Sequence, residues 1–181
     1  MHVSKRVYAL GNRCRAGGFS IDFDAYCFHG AALFNNVSGN SYHSGIFFEE
    51  CVKSNTAFGN LCEKNPANGI CMWTENVRGK TEKNTVACNV IRGGVQMEAN
   101  RSGLSLDGRA ADRTTEKNCF FNNRLENLSG RSAILIKKYA RDNYISQSIL
   151  QGNEVKVRNW TMKPETNGFR EQSGFHSPAA Q

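Results

Sequence analysis

The sequence predicts an all-β chain wound into stacked coils, a solenoid of about five to six turns. Two recurrences carry this reading. A six-residue segment bracketed by asparagines, "NTAFGN" at 55–60, keeps returning, and between its copies comes a small residue followed by an apolar–any–apolar run. A third observation removes the alternative: apolar residues seldom recur at i, i+3, i+4, and Gly and Asn interrupt such runs, so helices are not expected.

In chain order, "VYALGN" at 7–12 keeps the second asparagine only, "NNVSGN" at 35–40, "NTAFGN" at 55–60, "NTVACN" at 84–89 and "NCFFNN" at 118–123 keep both, and "NYISQS" at 143–148 keeps the first. "SILQGN" at 148–153 also fits and leaves the register of the last turn open. The second segment reads "SIDFD" at 20–24, "GIFFE" at 45–49, "GICMW" at 69–73, "GLSLD" at 103–107 and "AILIK" at 133–137, with a further match, "GVQME", at 94–98. Each unit thus holds two short strands joined by turns of variable length, and the alternation in Ile46-Phe47-Phe48-Glu49 gives an inward and an outward face. No unit can bury its apolar face alone, so units must stack. In-register asparagine amides would then bond to those above and below as a ladder. The repeat defines a coil domain over 1–157. The repeat-free 158–181, with Trp160, Phe169 and Phe175, reads as a C-terminal cap, an arm across the coil or a tail. An uncovered first coil would expose strand edges, which calls for preceding sequence, end-to-end or lateral self-association, or the tail.

Composition narrows the partners. The formal charge of +7 favours polyanions, but Lys and Arg are scattered and no basic helix or aromatic–basic ladder appears, which argues against nucleic acid. No apolar run is long enough to insert in a membrane, and the start shows no apolar signal-peptide core. Seven cysteines without a CxxC pair lack zinc spacing and read mostly as small buried hydrophobes, which suits a reducing compartment. Asn36, Asn100, Asn127 and Asn159 head N-x-S/T sequons.

Outward positions of the second segment make two columns: Asp22, Phe47, Cys71, Ser105 and Leu135, and Asp24, Glu49, Trp73, Asp107 and Lys137. Neighbours in a column lie about 4.8 Å apart. Both columns are expected on an exposed sheet, with three carboxylates, an indole and an ammonium in the second. Crowded carboxylates need a metal, a shared proton or cations. Ca²⁺ on Asp24, Glu49 and Asp107 is the one cofactor this suggests. Asp22 and Asp24 on one strand face have the separation of an inverting glycosidase pair, and Asp24 with Glu49 that of a retaining pair. Lyase or epimerase chemistry needs instead a base and a cation for a uronate carboxylate, with Arg109, Lys137, Tyr139, His29 and His43 as candidates. Trp73 offers a stacking surface for a sugar, and His43, Lys138 and Tyr139 stand near enough in sequence to help bind it. The loops 74–84 and 108–118, both ending in "TEKN", would wall a groove.

The asparagine and G-I-x-φ copies resemble the right-handed parallel β-helix proteins, the pectate-lyase-like superfamily, over roughly 7–157. That resemblance implies an extracellular or cell-surface protein acting on an acidic polysaccharide as lyase, hydrolase or epimerase. The other reading is a non-catalytic glycan-binding or fibre module. "IDFDAYCFHG" at 21–30 is distantly similar to the catalytic segment of mannuronan C5-epimerases, though their Asp-Pro-His run is absent. The similarity nominates Asp22, Asp24 and His29.

Overall fold

A computed structural model describes residues 3–15, 20–39, 43–93, 102–128, 132–146, 148–151, 155–159 and 168–170. The expected strand "GVQME" and most of 158–181, including Trp160 and Phe175, lie outside the described residues. Among the described residues there is no helix, and every strand-to-strand ladder is parallel. The architecture is a right-handed parallel β-helix, as the repeat predicts.

Each coil contributes to four sheets rather than the two expected. Sheet I holds β1 (Ser4–Lys5) and β5 (Cys27–Phe28), then β12 (Gly79–Glu82), β16 (Arg113–Glu116) and β20 (Ala140–Arg141). Lys53 joins its two parts by pairing with Phe28 and Glu82. Sheet II stacks β2 (Tyr8–Leu10), β6 (Ala31–Leu33), β9 (Thr56–Phe58), β13 (Thr85–Ala87), β17 (Cys119–Phe121), β21 (Tyr144–Ser146) and β24 (Gly168–Arg170). Sheet III stacks β3 (Arg13–Arg15), β7 (Asn36–Ser38), β10 (Leu61–Glu63), β14 (Val90–Arg92), β18 (Arg124–Glu126) and β22 (Ile149–Gln151). Sheet IV stacks β4 (Ile21–Phe23), β8 (Ile46–Glu49), β11 (Ile70–Thr74), β15 (Ser102–Gly108), β19 (Ser132–Ile136) and β23 (Val155–Asn159). Because β24 pairs with β21, coil pairing continues past residue 157.

The asparagines sit at two corners. Between sheets II and III, Asn12, Asn35, Asn60, Asn89 and Asn123 form one ladder: Asn60 donates from N and Nδ2 to Asn89 Oδ1, both at 2.9 Å, and from Nδ2 back to Ala32 O. Between sheets I and II, Asn55, Asn84, Asn118 and Asn143 repeat the pattern. The residue before each corner turns left-handed, as at Phe34 (φ 54°), Ser54 (57°), Lys83 (58°) and Cys88 (56°). For non-glycine residues that costs roughly 1–2 kcal/mol apiece, offset here by the amide ladder.

This register corrects two expectations. Asn35 is the counterpart of Asn60, not of Asn55, so "NNVSGN" begins at the second corner rather than the first. The first-corner rung of that coil is Gly30, whose N donates to Asn55 Oδ1. A Cβ there would lie 2.8 Å from Phe23 Cε1 and from Val7 O, so the corner cannot carry an asparagine. The Ile149–Gln151 part of "SILQGN" likewise belongs to sheet III, because Ile149 pairs with Arg124. The "TEKN" segments are not walls: Thr81 pairs with Thr115 and Glu82 with Glu116 inside sheet I.

The core is the stack of inward columns, such as Ile46–Ile70–Leu104–Ile134 on sheet IV and Ala57–Val86–Phe120–Ile145 on sheet II. The small residue opening each sheet IV segment is steric. A Cβ on Gly69 would come within 2.2 Å of Ile91 Cγ2 and 2.8 Å of Gly103 O.

Candidate functional site

Sheet IV presents both outward columns in the expected register. Phe47, Cys71, Ser105 and Leu135 pair in turn above Asp22, and Glu49 pairs with Trp73, which pairs with Asp107. Asp24 follows the last residue of β4, and Lys137 follows the last residue of β19, donating from N to Leu106 O.

The first column is not open, contrary to expectation. Phe47, Cys71, Ser105 and Leu135 are 2 %, 5 %, 2 % and 0 % exposed. Three of the four are apolar. Phe47 packs between aromatic rings, with His43 stacked at 6.4 Å and Trp73 tilted at 5.8 Å. His43 is thus an aromatic support for this column. Only Asp22 of that column stays exposed.

The second column is exposed at Asp24 and half-buried from Glu49 onward, and splits the predicted residues between two clefts. One, about 340 Å³, is lined by Trp73, Asp107, Gly108, Arg109, Lys137, Lys138 and Tyr139, six of which the sequence nominates. Lys137 Nζ lies 2.7 Å from Asp107 Oδ2, and Arg109 pairs with Glu75 at 3.7 Å. Lys138 Nζ stands 5.3 Å from the centre of the Tyr139 ring. The other cleft, about 560 Å³, is lined by residues including Ser4, Asp22, Asp24 and Tyr26. Glu49 sits on the strand between them.

Asp22 keeps its outer side exposed; burial of the rest, then the charge of Asp24, push its pKa to about 6. Glu49 goes higher, to about 7, through burial first and then repulsion from Asp22, Asp24, Glu50 and Glu75. Near neutrality the column therefore offers, at Glu49, a carboxyl that is protonated about half the time, one rung from Trp73, and an ion-paired carboxylate at Asp107, one rung beyond.

Two nominations fail on geometry. His29 lies exposed at the corner between sheets I and II, with φ 58° and its N bonded to Lys53 O, and lines neither cleft. Asp24, Glu49 and Asp107 do not form a cation site. Trp73 separates Glu49 from Asp107, Lys137 occupies Asp107, and among the described residues no three His, Cys, Asp or Glu side chains gather to hold a metal. These residues do not fit Ca²⁺.

Two supports of the site were missed. The buried Glu50 carboxylate accepts from the N of Glu75, Asn76 and Val77 at 2.8–3.2 Å and holds that turn beside the cleft. Thr115 donates to Asp107 O at 2.6 Å, fixing the Asp107 backbone. The acidic pair Glu49-Glu50 was the available signal for the first; nothing in the spacing marks the second.

No protein-family model matches the chain, and no curated protein matches it. Among solved structures, the A-module of the mannuronan C-5 epimerase AlgE4 from Azotobacter vinelandii is similar over 96 % of this chain and 57 % of that one, at 10 % identity and a TM-score of 0.49. A DFA-IIIase from Arthrobacter chlorophenolicus, without its lid, is similar over 90 % of this chain and 58 % of that one, at 10 % identity and a TM-score of 0.37. The chain spans less than two thirds of either structure. No helix among the described residues is long and apolar enough to cross a membrane.

Proposed function

We propose that the chain is a carbohydrate-active β-helix that cleaves an acidic polysaccharide by hydrolysis in the Trp73 cleft. One observation carries the reading: Trp73 stands in register between Glu49 and Asp107, beside a cleft edged by Arg109, Lys137 and Lys138. Two interstrand steps set the carboxyls about 9–10 Å apart, close to the roughly 6.5–9.5 Å separation of an inverting pair. A sugar ring stacks on Trp73. Glu49 gives its proton to the glycosidic oxygen as the bond from the anomeric carbon breaks. Asp107 takes a proton from the water attacking the opposite face. Arg109 and Lys138 pair with the anionic groups of the polymer, which fits the +7 charge. Such a substrate goes with an extracellular or cell-surface setting.

A second reading rests on Tyr139. It lies in the same cleft beside three cations, where it would remove the proton next to a uronate carboxylate while Arg109 neutralises that carboxylate, as a lyase or epimerase requires. A screen against uronate polymers separates these. Hydrolysis yields reducing ends without unsaturated-product absorbance, a lyase yields both, an epimerase yields neither but changes the uronate composition read by proton NMR, and binding with none of these leaves a glycan-binding module. Under hydrolysis, Glu49→Gln and Asp107→Asn each lower kcat by about 10³-fold. Trp73→Ala chiefly raises KM. Unchanged turnover in both carboxylate variants removes the proposed site.

A further inference from the structure

The corner between sheets I and II is built unlike the others. The strands entering it pair in register, so the residues that turn it lie over one another: Arg6, His29, Ser54, Lys83, Lys117 and then Asp142. All of them take a left-handed φ of 54–58°. Glycine and asparagine adopt that backbone most readily. The corner between sheets II and III uses them, at Gly11, Gly59 and Asn122. Among the described residues, the corner between sheets I and II uses neither and places cations there instead.

Those cations are open to solvent. Arg6, His29, Lys83 and Lys117 are exposed. The carboxylates next to them in sequence are taken by other partners: Glu82 by Lys53 at 2.9 Å, and Glu116 by Lys80 at 2.6 Å and Arg141 at 2.9 Å. Among the described residues none makes an ion pair with Arg6, Lys83 or Lys117. Lys83 and Lys117 stand on adjacent rungs, about 4.8 Å apart along the backbone stack. Like charges stacked so closely repel unless an anion lies across them.

We infer that this corner is a docking track for a linear acidic polysaccharide, separate from the Trp73 cleft and independent of whether that cleft is catalytic. The column runs along the coil axis. An extended glycan advances by about one interstrand step per sugar, so its carboxylates reach successive rungs. The adjoining outward column of sheet II reads Tyr8, Ala31, Thr56, Thr85, Cys119, Tyr144 in register. Thr56 and Thr85 offer hydroxyls to the sugar beside Ser54 and Lys83. Between the two end tyrosines this column has no ring for a nucleobase to stack on, which favours a glycan over single-stranded nucleic acid.

Isothermal titration with polygalacturonate at low salt tests this. Lys83→Ser combined with Lys117→Ser, a residue the same corner already holds at Ser54, weakens binding about tenfold, and added salt weakens what remains less steeply. Arg15→Ser combined with Lys64→Ser removes the same charge from exposed positions on sheet III and at its far corner, and changes binding less than twofold. Circular dichroism checks each fold. Acetylation of the parent protein reads the corner without any substitution: bound polymer slows the reaction at Lys83 and Lys117 and leaves Lys64 unchanged. Absence of binding by the parent, equal weakening by the two paired variants, or unprotected corner lysines overturns the proposal. Tighter, corner-dependent binding of an oligothymidylate or of phosphatidylserine vesicles assigns the corner to nucleic acid or to a membrane surface and overturns it too. Corner-dependent binding without release of reducing ends supports the track while removing hydrolysis at Trp73.

Discussion

Two carboxylates on neighbouring sheets, two coils apart, meet opposite fates. Glu116 lies on sheet I and is 1 % exposed, yet its carboxylate has three partners: Lys80 at 2.6 Å, Arg141 at 2.9 Å and Thr114 at 3.1 Å. Burial alone would raise its pKa; the bonds from Lys80, Arg141 and Thr114 outweigh that and hold it below the ordinary value. Glu49 lies on sheet IV and is more exposed, but partial burial first, and then repulsion from Asp22, Asp24, Glu50 and Glu75, raise its pKa to about 7. Both groups stand on equivalent lattice positions, one rung from a strand above and a strand below. The lattice therefore does not decide reactivity. Burial pushes both upward; the groups that reach each carboxyl, two cations and a hydroxyl at Glu116 and further carboxylates at Glu49, set the direction in which its pKa finally moves.

Breaking the satisfied side has the largest effect on stability. Glu116→Ala removes the anion from a buried cluster and leaves Lys80 and Arg141 without it. The cost is about 3 kcal/mol, at the lower end for breaking a buried pair because both cations reach solvent. Chemical denaturation near pH 7 reads it. Asn89→Ala comes next, at about 2–3 kcal/mol. It deletes the Oδ1 to which Asn60 donates twice and the Nδ2 that bonds Ala57 O, orphaning buried groups on the preceding coil. The expected fall in Tm is roughly 4–10 °C.

The inward half of this molecule was legible because it is repetitive. Asparagines at fixed offsets and the Ile46–Ile70–Leu104–Ile134 column announce stacking, and stacking alone put Glu49, Trp73 and Asp107 in one line. What failed has physical causes. Gly30 hid a corner because a glycine leaves no side chain to mark the rung. Sheets I and III went unread because their strands carry no repeated residue type, only left-handed turns at both ends that sequence does not signal at Lys83 or Cys88. The outward column through Phe47, Cys71 and Leu135 looked solvent-facing because alternation gives direction, not cover. His29 looked close to Asp24 because it is near in sequence, but the corner at Tyr26 carries it onto another sheet.

The smallest effect is the most telling, because its sign is opposite. The folded pKa of Glu49, about 7, lies above its unfolded value near 4.5, so the native state binds the extra proton. Its contribution is intact below about pH 4.5 and is lost as the pH rises through 7, whereas that of Glu116 is present above its unfolded value and lost in acid. Glu49→Gln keeps the side chain neutral at every pH. It should leave stability at pH 4 nearly unchanged and raise it at pH 8 by about 1–2 kcal/mol, after allowance for partial exposure. Glu116→Gln should instead lower stability at pH 8 and matter progressively less as the pH falls and the carboxylate takes up its proton. Denaturation curves for both variants across pH 3–9 should therefore diverge in opposite directions from the parent. If Glu49→Gln tracks the parent at all pH values, Glu49 ionises normally in the fold. The proton assigned to the glycosidic oxygen would then be absent near neutrality.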